Sequence, residues 1–218
     1  MKQIDMVLPT RNRLVKLKRT LNSIPRYDYL HIIVICDGDR ETYDWLQENR
    51  KDIEAMYVPE HKGAVWCRNS VSSTCADGLL YATDDIVFKA AAISNALKCF
   101  NENFSDDDGV VGFVQEGNTF HPTGVALVGQ KFLLRYPLKQ LFCPEYFHFA
   151  CQEIYDLCEK VGNKFVQAKD AVVHHYHPCF VREEMDQTHM DARKFRTRDH
   201  ELIKQRKDKN LTWGFDEN

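Results

Sequence analysis

Asp84 and Asp85 close an apolar run, Gly78-Leu79-Leu80-Tyr81-Ala82-Thr83, and Ile86-Val87-Phe88 follows them. Adjacent carboxylates in such surroundings need a compensating charge, because a buried unpaired carboxylate is very costly. Either a cation or a basic side chain meets them, or the strand ends there and they face a crevice. A hard divalent cation such as Mg2+ or Mn2+ takes oxygen ligands and also binds substrate phosphates. The alternative is a turn and helix cap ahead of the apolar segment that begins near Ala90.

Three further clusters bear on chemistry. Val172-Val173-His174-His175-Tyr176-His177-Pro178 places His175 and His177 on one side of an extended chain and His174 on the other. Neutral imidazole is a common ligand of transition metals, and a histidine beside carboxylates suits Mn2+ better than Mg2+. Lys62-Gly63-Ala64-Val65-Trp66-Cys67-Arg68-Asn69 reads as a glycine-led helix start with two cationic side chains. Free backbone N–H groups and positive charge favour a phosphate. Glu153 lies in the aromatic and apolar stretch Phe147-His148-Phe149-Ala150-Cys151-Gln152-Glu153-Ile154-Tyr155. Such a setting suits a carboxylate to general base work, whereas a solvent-facing helical position is the ordinary fate of Glu.

The elements that must position these groups alternate. Residues 4–8, 31–36, 54–58 and 78–83 read as strands. Residues 14–24, 41–52, 63–76 and 90–104 read as helices, with Leu14, Leu17, Leu21 and Ile24 at helical spacing. Residues 109–115, 125–134 and 164–174 are further strand candidates. Residues 146–161 form a helix capped by Gly162, and 191–208 form a charged helix exposed to solvent. Alternating strand and helix predicts an α/β protein with a Rossmann-like, mostly parallel sheet flanked by helices and a C-terminal helical tail. Ligands of such sheets bind beyond the carboxyl ends of the strands. Pro9-Thr10-Arg11-Asn12, Asp37-Gly38 and Asp84-Asp85 all follow strands, so they are expected to converge on one edge.

Composition narrows the class. The chain has 218 residues, 44% hydrophobic and 28% charged, and a net charge of -3, which argues against a strongly basic nucleic-acid binder. No segment approaches the roughly 18 apolar residues of a membrane span. The eight cysteines include no Cys-x-x-Cys pair, so they read as reduced thiols. A cytoplasmic protein is expected. Neither a Gly-x-Gly-x-x-Gly nor a Walker A sequence is present.

Taken in order, Val7-Leu8-Pro9-Thr10-Arg11-Asn12-Arg13, Val34-Ile35-Cys36-Asp37-Gly38, residues 63–69, 79–87 and 171–178 resemble a GT-A-fold glycosyltransferase. The closest resemblance is to the large inverting family 2 that includes cellulose and hyaluronan synthase domains. The resemblance implies a GT-A domain over residues 1–180 and a C-terminal extension over 181–218 packed on the same domain. It implies a metal-dependent transfer of a sugar from a nucleotide-diphosphate donor, most often a UDP-sugar, to an acceptor hydroxyl. Pro9, Thr10 and Arg11 would line the nucleotide pocket, Asp37 would bind the base, and Lys62, Gly63 and Arg68 would lie near ribose and diphosphate. Asp84 would touch ribose or sugar, while Asp85 with His175 or His177 would hold Mn2+ or Mg2+. Glu153 would be the catalytic base. The family's Asp-x-Asp motif has Thr83 at its first position here, and Cys151 stands where an acidic residue is expected. A nucleotidyltransferase and a non-catalytic nucleotide-sugar binding module are the rival readings. The acceptor is open: a glycan, a small molecule or, as in related enzymes of bacterial viruses, a modified DNA base. The basic cluster Arg11, Arg13, Lys16, Lys18, Arg19 and Arg26 is the candidate contact for DNA phosphates.

Overall fold

The computed structural model describes residues 1, 3–71, 76–116, 122–179 and 184–215. The end of the expected 63–76 helix (residues 72–75) and the 180/181 boundary lie outside them. The strands are β1 (Ile4–Thr10), β2 (Leu30–Asp37), β3 (Glu54–Val58), β4 (Gly78–Tyr81), β5 (Ile86–Phe88), β6 (Val110–Glu116), β7 (Ala126–Gly129) and β8 (Phe165–His175). They form one sheet in the order β3-β2-β1-β4-β7-β6-β8-β5. The first four are parallel, and β6 and β8 are also parallel; β7 runs against β4 and β6, and β5 runs against β8.

The helices are α1 (Leu14–Asn22), α2 (Arg40–Asn49), α3 (Ala64–Asn69), α4 (Ala92–Asn103), α5 (Gln130–Leu133), α6 (Cys151–Lys160) and α7 (Gln187–Asp208). Strand β1 shows how they cover both faces. Ile4, Met6 and Leu8 enter a core with Leu17, Leu21, Leu46 and Phe100, from α1, α2 and α4. Val7 points the other way, among Val65, Phe132, Ile154 and Leu157, from α3, α5 and α6. Each such side chain contributes about 1.5–3 kcal/mol on leaving water. Burial on both faces is why β1 and β2 read as nearly continuous apolar runs.

Three expected elements differ. The apolar run 125–134 is not one strand: β7 stops at Gly129, and α5 begins at Gln130. Gly129 packs so close that an added Cβ would lie 2.1 Å from the Asp107 carbonyl oxygen, which also accepts from the N–H groups of Lys131 and Phe132. The helix expected over 146–161 begins only at Cys151, because Asp199 accepts hydrogen bonds from the N–H groups of Phe147, His148 and Phe149 at 3.2, 2.9 and 3.1 Å. The C-terminal helix starts earlier than expected, where the Asp186 side chain caps it by accepting from His189 N–H. It is also not a solvated helix throughout. His189, Asp191, Asp199 and Arg206 are buried against the rest of the fold.

Candidate functional site

Strand order creates the crevice. The chain leaves β1 toward β2 on one side, while β4 lies on the other, so the carboxyl ends of β1 and β4 open a switch point. Thr10 ends β1, and Asp84 and Asp85 follow β4. The Thr10 hydroxyl donates to Asp84 Oδ2 at 2.8 Å. Arg13, just before α1, donates through Nη1 to Asp84 Oδ1 at 3.0 Å and stands 3.5 Å from Asp85 Oδ2. Its Nε and Nη2 both reach Asp186 at 2.8 Å. Thr10, Arg13, Asp84 and Asp85 are all buried. Burial lowers the basicity of the Arg13 guanidinium, but Asp84, Asp186 and Asp85 outweigh it and hold the group above its ordinary value. Burial raises Asp84 above the usual carboxylate range, with Arg13 opposing it.

Asp85 has different neighbours. Register brings them together: β5 pairs Ile86 with His175, and Tyr176 N–H donates to the Asp85 carbonyl at 2.8 Å. His175 Nε2 lies 3.2 Å from Asp85 Oδ1, His189 Nε2 lies 3.5 Å from Oδ2, and the Thr83 hydroxyl donates to Oδ1 at 2.9 Å. Burial opposes ionisation, but the hydrogen bonds from His175 and His189 hold Asp85 well below the usual range. His174 turns to the opposite face and meets Glu116 at 3.0 Å. His175 Nδ1 contacts Gln115 Oε1 at 3.0 Å. The two ring nitrogens of His175 thus each face an oxygen, Gln115 Oε1 and Asp85 Oδ1, and the ring joins the two side chains. His177 is arranged otherwise. Its Nδ1 accepts from Cys179 N–H at 3.2 Å, and its ring meets those of His175 and His189 edge-on. Burial pulls His177 down to about 4. Among the described residues, no group of three or more His, Cys, Asp or Glu side chains is placed to hold a metal ion. The imidazole-plus-carboxylate donor set of Asp85 and His175 nonetheless fits Mn2+ or Mg2+ in kind.

Above these groups opens a cavity of about 530 Å³ that includes its solvent mouth. Pro9, Thr10, Arg11, Asp37, Arg68 and Asp84 line it, so six of the nucleotide-sugar candidates meet in one place. Asp37 accepts from Lys62 N–H, Gly63 N–H and His61 Nδ1 at 2.7, 2.9 and 2.7 Å, which shapes the loop as a wall. Gly63 serves that loop through its backbone. It sits at φ +91°, and a Cβ there would lie 2.7 Å from the Phe147 ring. The Lys62 ammonium is directed to Glu60 at 2.7 Å instead of lining the cavity. Arg68 donates to the Ala82 carbonyl at 3.2 Å and lies near the Tyr81 and Phe142 rings. Burial lowers its basicity.

Glu153 is not part of this cavity. It is 6% exposed and accepts from Arg206 Nε at 2.6 Å, Arg206 Nη2 at 3.2 Å, Trp213 N–H at 2.8 Å and the Tyr146 hydroxyl. Four donors saturate the carboxylate, so the residue expected as catalytic base is held in an ion pair with Arg206 away from the cavity.

No protein-family profile matches the chain, and no curated protein sequence matches it. Solved structures do. It superposes on residues 1–349 of S. aureus TarS with a TM-score of 0.63 at 13% identity, covering 79% of this chain and 60% of that one. A longer TarS structure gives the same TM-score and identity, with 36% of that chain covered. The chain thus spans less than two thirds of either structure. It has the GT-A glycosyltransferase fold.

Within that GT-A fold, several site residues are invisible to sequence reading. Arg13 lies inside the Pro9–Arg13 motif but meets Asp84 from 71 positions away. His148, Phe147 and His61 line the cavity from loops, and Thr188 and Ala192 of α7 roof it. Burial and the nearby Arg68 charge pull His148 down to about 4, so its ring is neutral at pH 7. The one local clue to His189 is its place three residues after the helix-capping Asp186. Among the described residues, no helix is long and apolar enough to cross a membrane.

Proposed function

We propose that this protein transfers a sugar from a nucleotide-diphosphate donor, a UDP-sugar in the simplest case, to an acceptor hydroxyl with inversion. The observation that carries the reading is the meeting of Thr10, Arg11, Asp37, Arg68, Asp84 and Asp85 at the switch point of a GT-A fold. The base end of the donor belongs beside Asp37, whose three contacts leave one of about four lone-pair sites for a base N–H. Arg11 and Arg68 give the diphosphate positive charge, and Asp84 faces ribose or sugar. Asp85 with His175 would hold Mn2+ or Mg2+, with His177 beside them; the bound cation neutralises a leaving diphosphate.

With Glu153 locked to Arg206, the proton acceptor that the cavity offers is His148. Asp199 fixes its backbone, and its ring is neutral. It takes the acceptor proton as the hydroxyl attacks the anomeric carbon. The locked Glu153 also favours a second reading, a module that binds nucleotide sugars without turning them over. The acceptor stays at the level of a hydroxyl. Arg11 and Arg13 of the basic cluster are engaged by Asp191 and Asp186, which weakens the case for DNA phosphates.

A thermal-shift panel of nucleotide sugars with and without Mn2+ tests the proposal, because donor binding stabilises the native state by mass action. A UDP-sugar is expected to raise Tm only with the cation. No shift with any nucleotide sugar overturns the reading. Release of UDP from the stabilising donor separates the enzyme from the binding module.

A further inference from the structure

Helix α7 sorts its charges by face. Asp191 and Asp199 are buried, 9% and 0% exposed. Asp191 meets Arg11 at 2.5 Å, and Asp199 accepts from the N–H groups of Phe147, His148 and Phe149. The cations turn outward. Between Arg193 and Lys207, six exposed cations, Arg193, Lys194, Arg196, Arg198, Lys204 and Lys207, stand against one exposed acid, Glu201. Lys194 is held by Asp191 at 2.8 Å, Arg198 donates to the Glu145 carbonyl at 2.8 Å, and Lys207 stands 3.7 Å from Asp156. Among the described residues, Arg193, Arg196 and Lys204 have no acidic partner. Steps of three and four place Arg193, Arg196, His200, Lys204 and Lys207 along one line of the helix. At 1.5 Å per residue that line is about 20 Å long. It begins at the cavity. Ala192 lines the cavity, Phe195 stacks at 3.7 Å on the cavity-lining Phe147, and the His200 ring lies 5.5 Å from that of Phe149, next to His148. A chain of net charge -3 thus concentrates positive charge, with rings beside it, along one track to the mouth. Such a track suits a nucleic-acid strand, which offers a phosphate at every residue and a flat base to stack. A polyol phosphate or an anionic lipid has no base for the rings.

We propose that the acceptor hydroxyl is carried by a nucleic-acid strand whose phosphates follow the outward face of α7 from Lys207 to Arg193 and bring a nucleotide to His148. The inference rests on the transferase reading for what happens in the cavity, but the surface binds without it. The acceptor O–H bond breaks as the oxygen bonds the anomeric carbon, the diphosphate leaves with the electron pair, and His148 takes the proton. The phosphate contacts move off Arg11 and Arg13, which Asp191 and Asp186 hold, onto a helix whose sequence shows only mixed charge. Burial of its acids is what leaves the cations facing outward.

The test uses the full chain and a labelled single-stranded oligodeoxynucleotide of about 12 nucleotides, with binding read by fluorescence anisotropy across a salt series. Each phosphate contact to a single strand releases about 0.7 counterion, worth about fivefold in affinity at about 0.1 M salt. The double variant Arg193→Gln, Arg196→Gln is therefore expected to bind about 25-fold more weakly and to lower the salt slope by about 1.4. Its Tm shift with a UDP-sugar should equal that of the wild type, because neither arginine lines the donor cavity. Lys51→Gln with Lys98→Gln removes the same charge elsewhere and should leave oligonucleotide affinity unchanged. Absence of salt-sensitive binding, or an equal loss in the Lys51/Lys98 control, overturns the proposal. So does inorganic polyphosphate competing at the oligonucleotide's own affinity, since bases would then add nothing. A UDP-sugar that raises Tm in a protein without oligonucleotide affinity leaves the transferase reading standing. Oligonucleotide binding through Arg193 and Arg196, without stabilisation by any nucleotide sugar, overturns that reading and leaves the nucleic-acid surface.

Discussion

Glu153 and Asp85 are both buried carboxylates, 6% and 2% exposed, and they have opposite surroundings. Glu153 is met by an arginine fork, a backbone N–H and a tyrosine hydroxyl. Every donor is fixed, and together with Arg206 it joins α6 to α7. Asp85 is met by two imidazoles, a threonine hydroxyl and, at 3.5 Å, the Arg13 guanidinium, with a second carboxylate, Asp84, next to it in the chain. A saturated carboxylate holds a fold together. One met by imidazoles has partners that can ligate a metal as well as donate. Apolar sequence surroundings therefore do not mark a catalytic carboxylate; the kind of partner does.

The largest test of this contrast is Glu153→Gln. It removes the buried partner of Arg206 and leaves only the exposed Glu145 at 3.4 Å, and breaking a buried pair costs about 3–5 kcal/mol. Chemical denaturation should show a loss of that size, while Mn2+ affinity per folded molecule stays at the wild-type value. Replacing both partners, Glu153→Leu with Arg206→Met, should recover much of the loss. A Glu153→Gln protein of full stability would mean that the ion pair is not structural.

Asp85→Asn should divide the two regions the other way. Mn2+ affinity is expected to fall by at least about 100-fold, or about 2.7 kcal/mol, in calorimetry. An unchanged affinity would move the cation site elsewhere.

The next test is pH, read at the roof of the cavity. His148 is held near 4 in the folded protein, against 6.5 ordinarily, so the unfolded chain binds its proton more readily. Stability is then fullest above about pH 6.5 and falls as pH drops toward 4. The full shift corresponds to about 3.4 kcal/mol; allowing for the ring's partial exposure, about 2 kcal/mol is expected. His148→Asn should show a smaller loss of stability between pH 7 and 4.5 than the wild type, measured by denaturation at each pH. Parallel curves for the two proteins would exclude the buried neutral ring.

How much of this was legible in the chain depends on the range of the contacts. Strands β1 to β4 could be read because each is buried on both faces and carries its own apolar run. The Asp84-Asp85 pair could be read because carboxylates interrupt such a run. Asp186 could not: it meets Arg13 across 173 positions, in a tail whose mixed charges look like a solvated helix. The ion pair of Glu153 could not be read for the same reason, since its partner Arg206 lies 53 positions away. Asp199 likewise removed a turn of helix that local periodicity predicted, by capturing the N–H groups of Phe147, His148 and Phe149. Periodicity reports burial, but it does not report which distant charge satisfies which buried group.

The smallest effect probes what sets Asp85 apart most finely, the orientation of its imidazole. Gln115 is 5% exposed and touches His175 Nδ1 through Oε1 at 3.0 Å, on the far side of the ring from Asp85. It does not touch the cation position. Gln115→Leu keeps a buried side chain of similar reach but removes the oxygen that faces Nδ1. The ring then loses the partner that orients it toward Asp85. Partners of this kind typically contribute 10- to 100-fold in metal affinity. The lower end, about tenfold or 1.4 kcal/mol, is expected here, because Asp85 and the His175 ring itself remain. Gln115→Glu restores an oxygen and should recover the binding. Weak binding in both variants would mean that Gln115 acts only by packing, whereas recovery with Glu alone would show that an oriented imidazole partner is what sets Asp85 apart from Glu153.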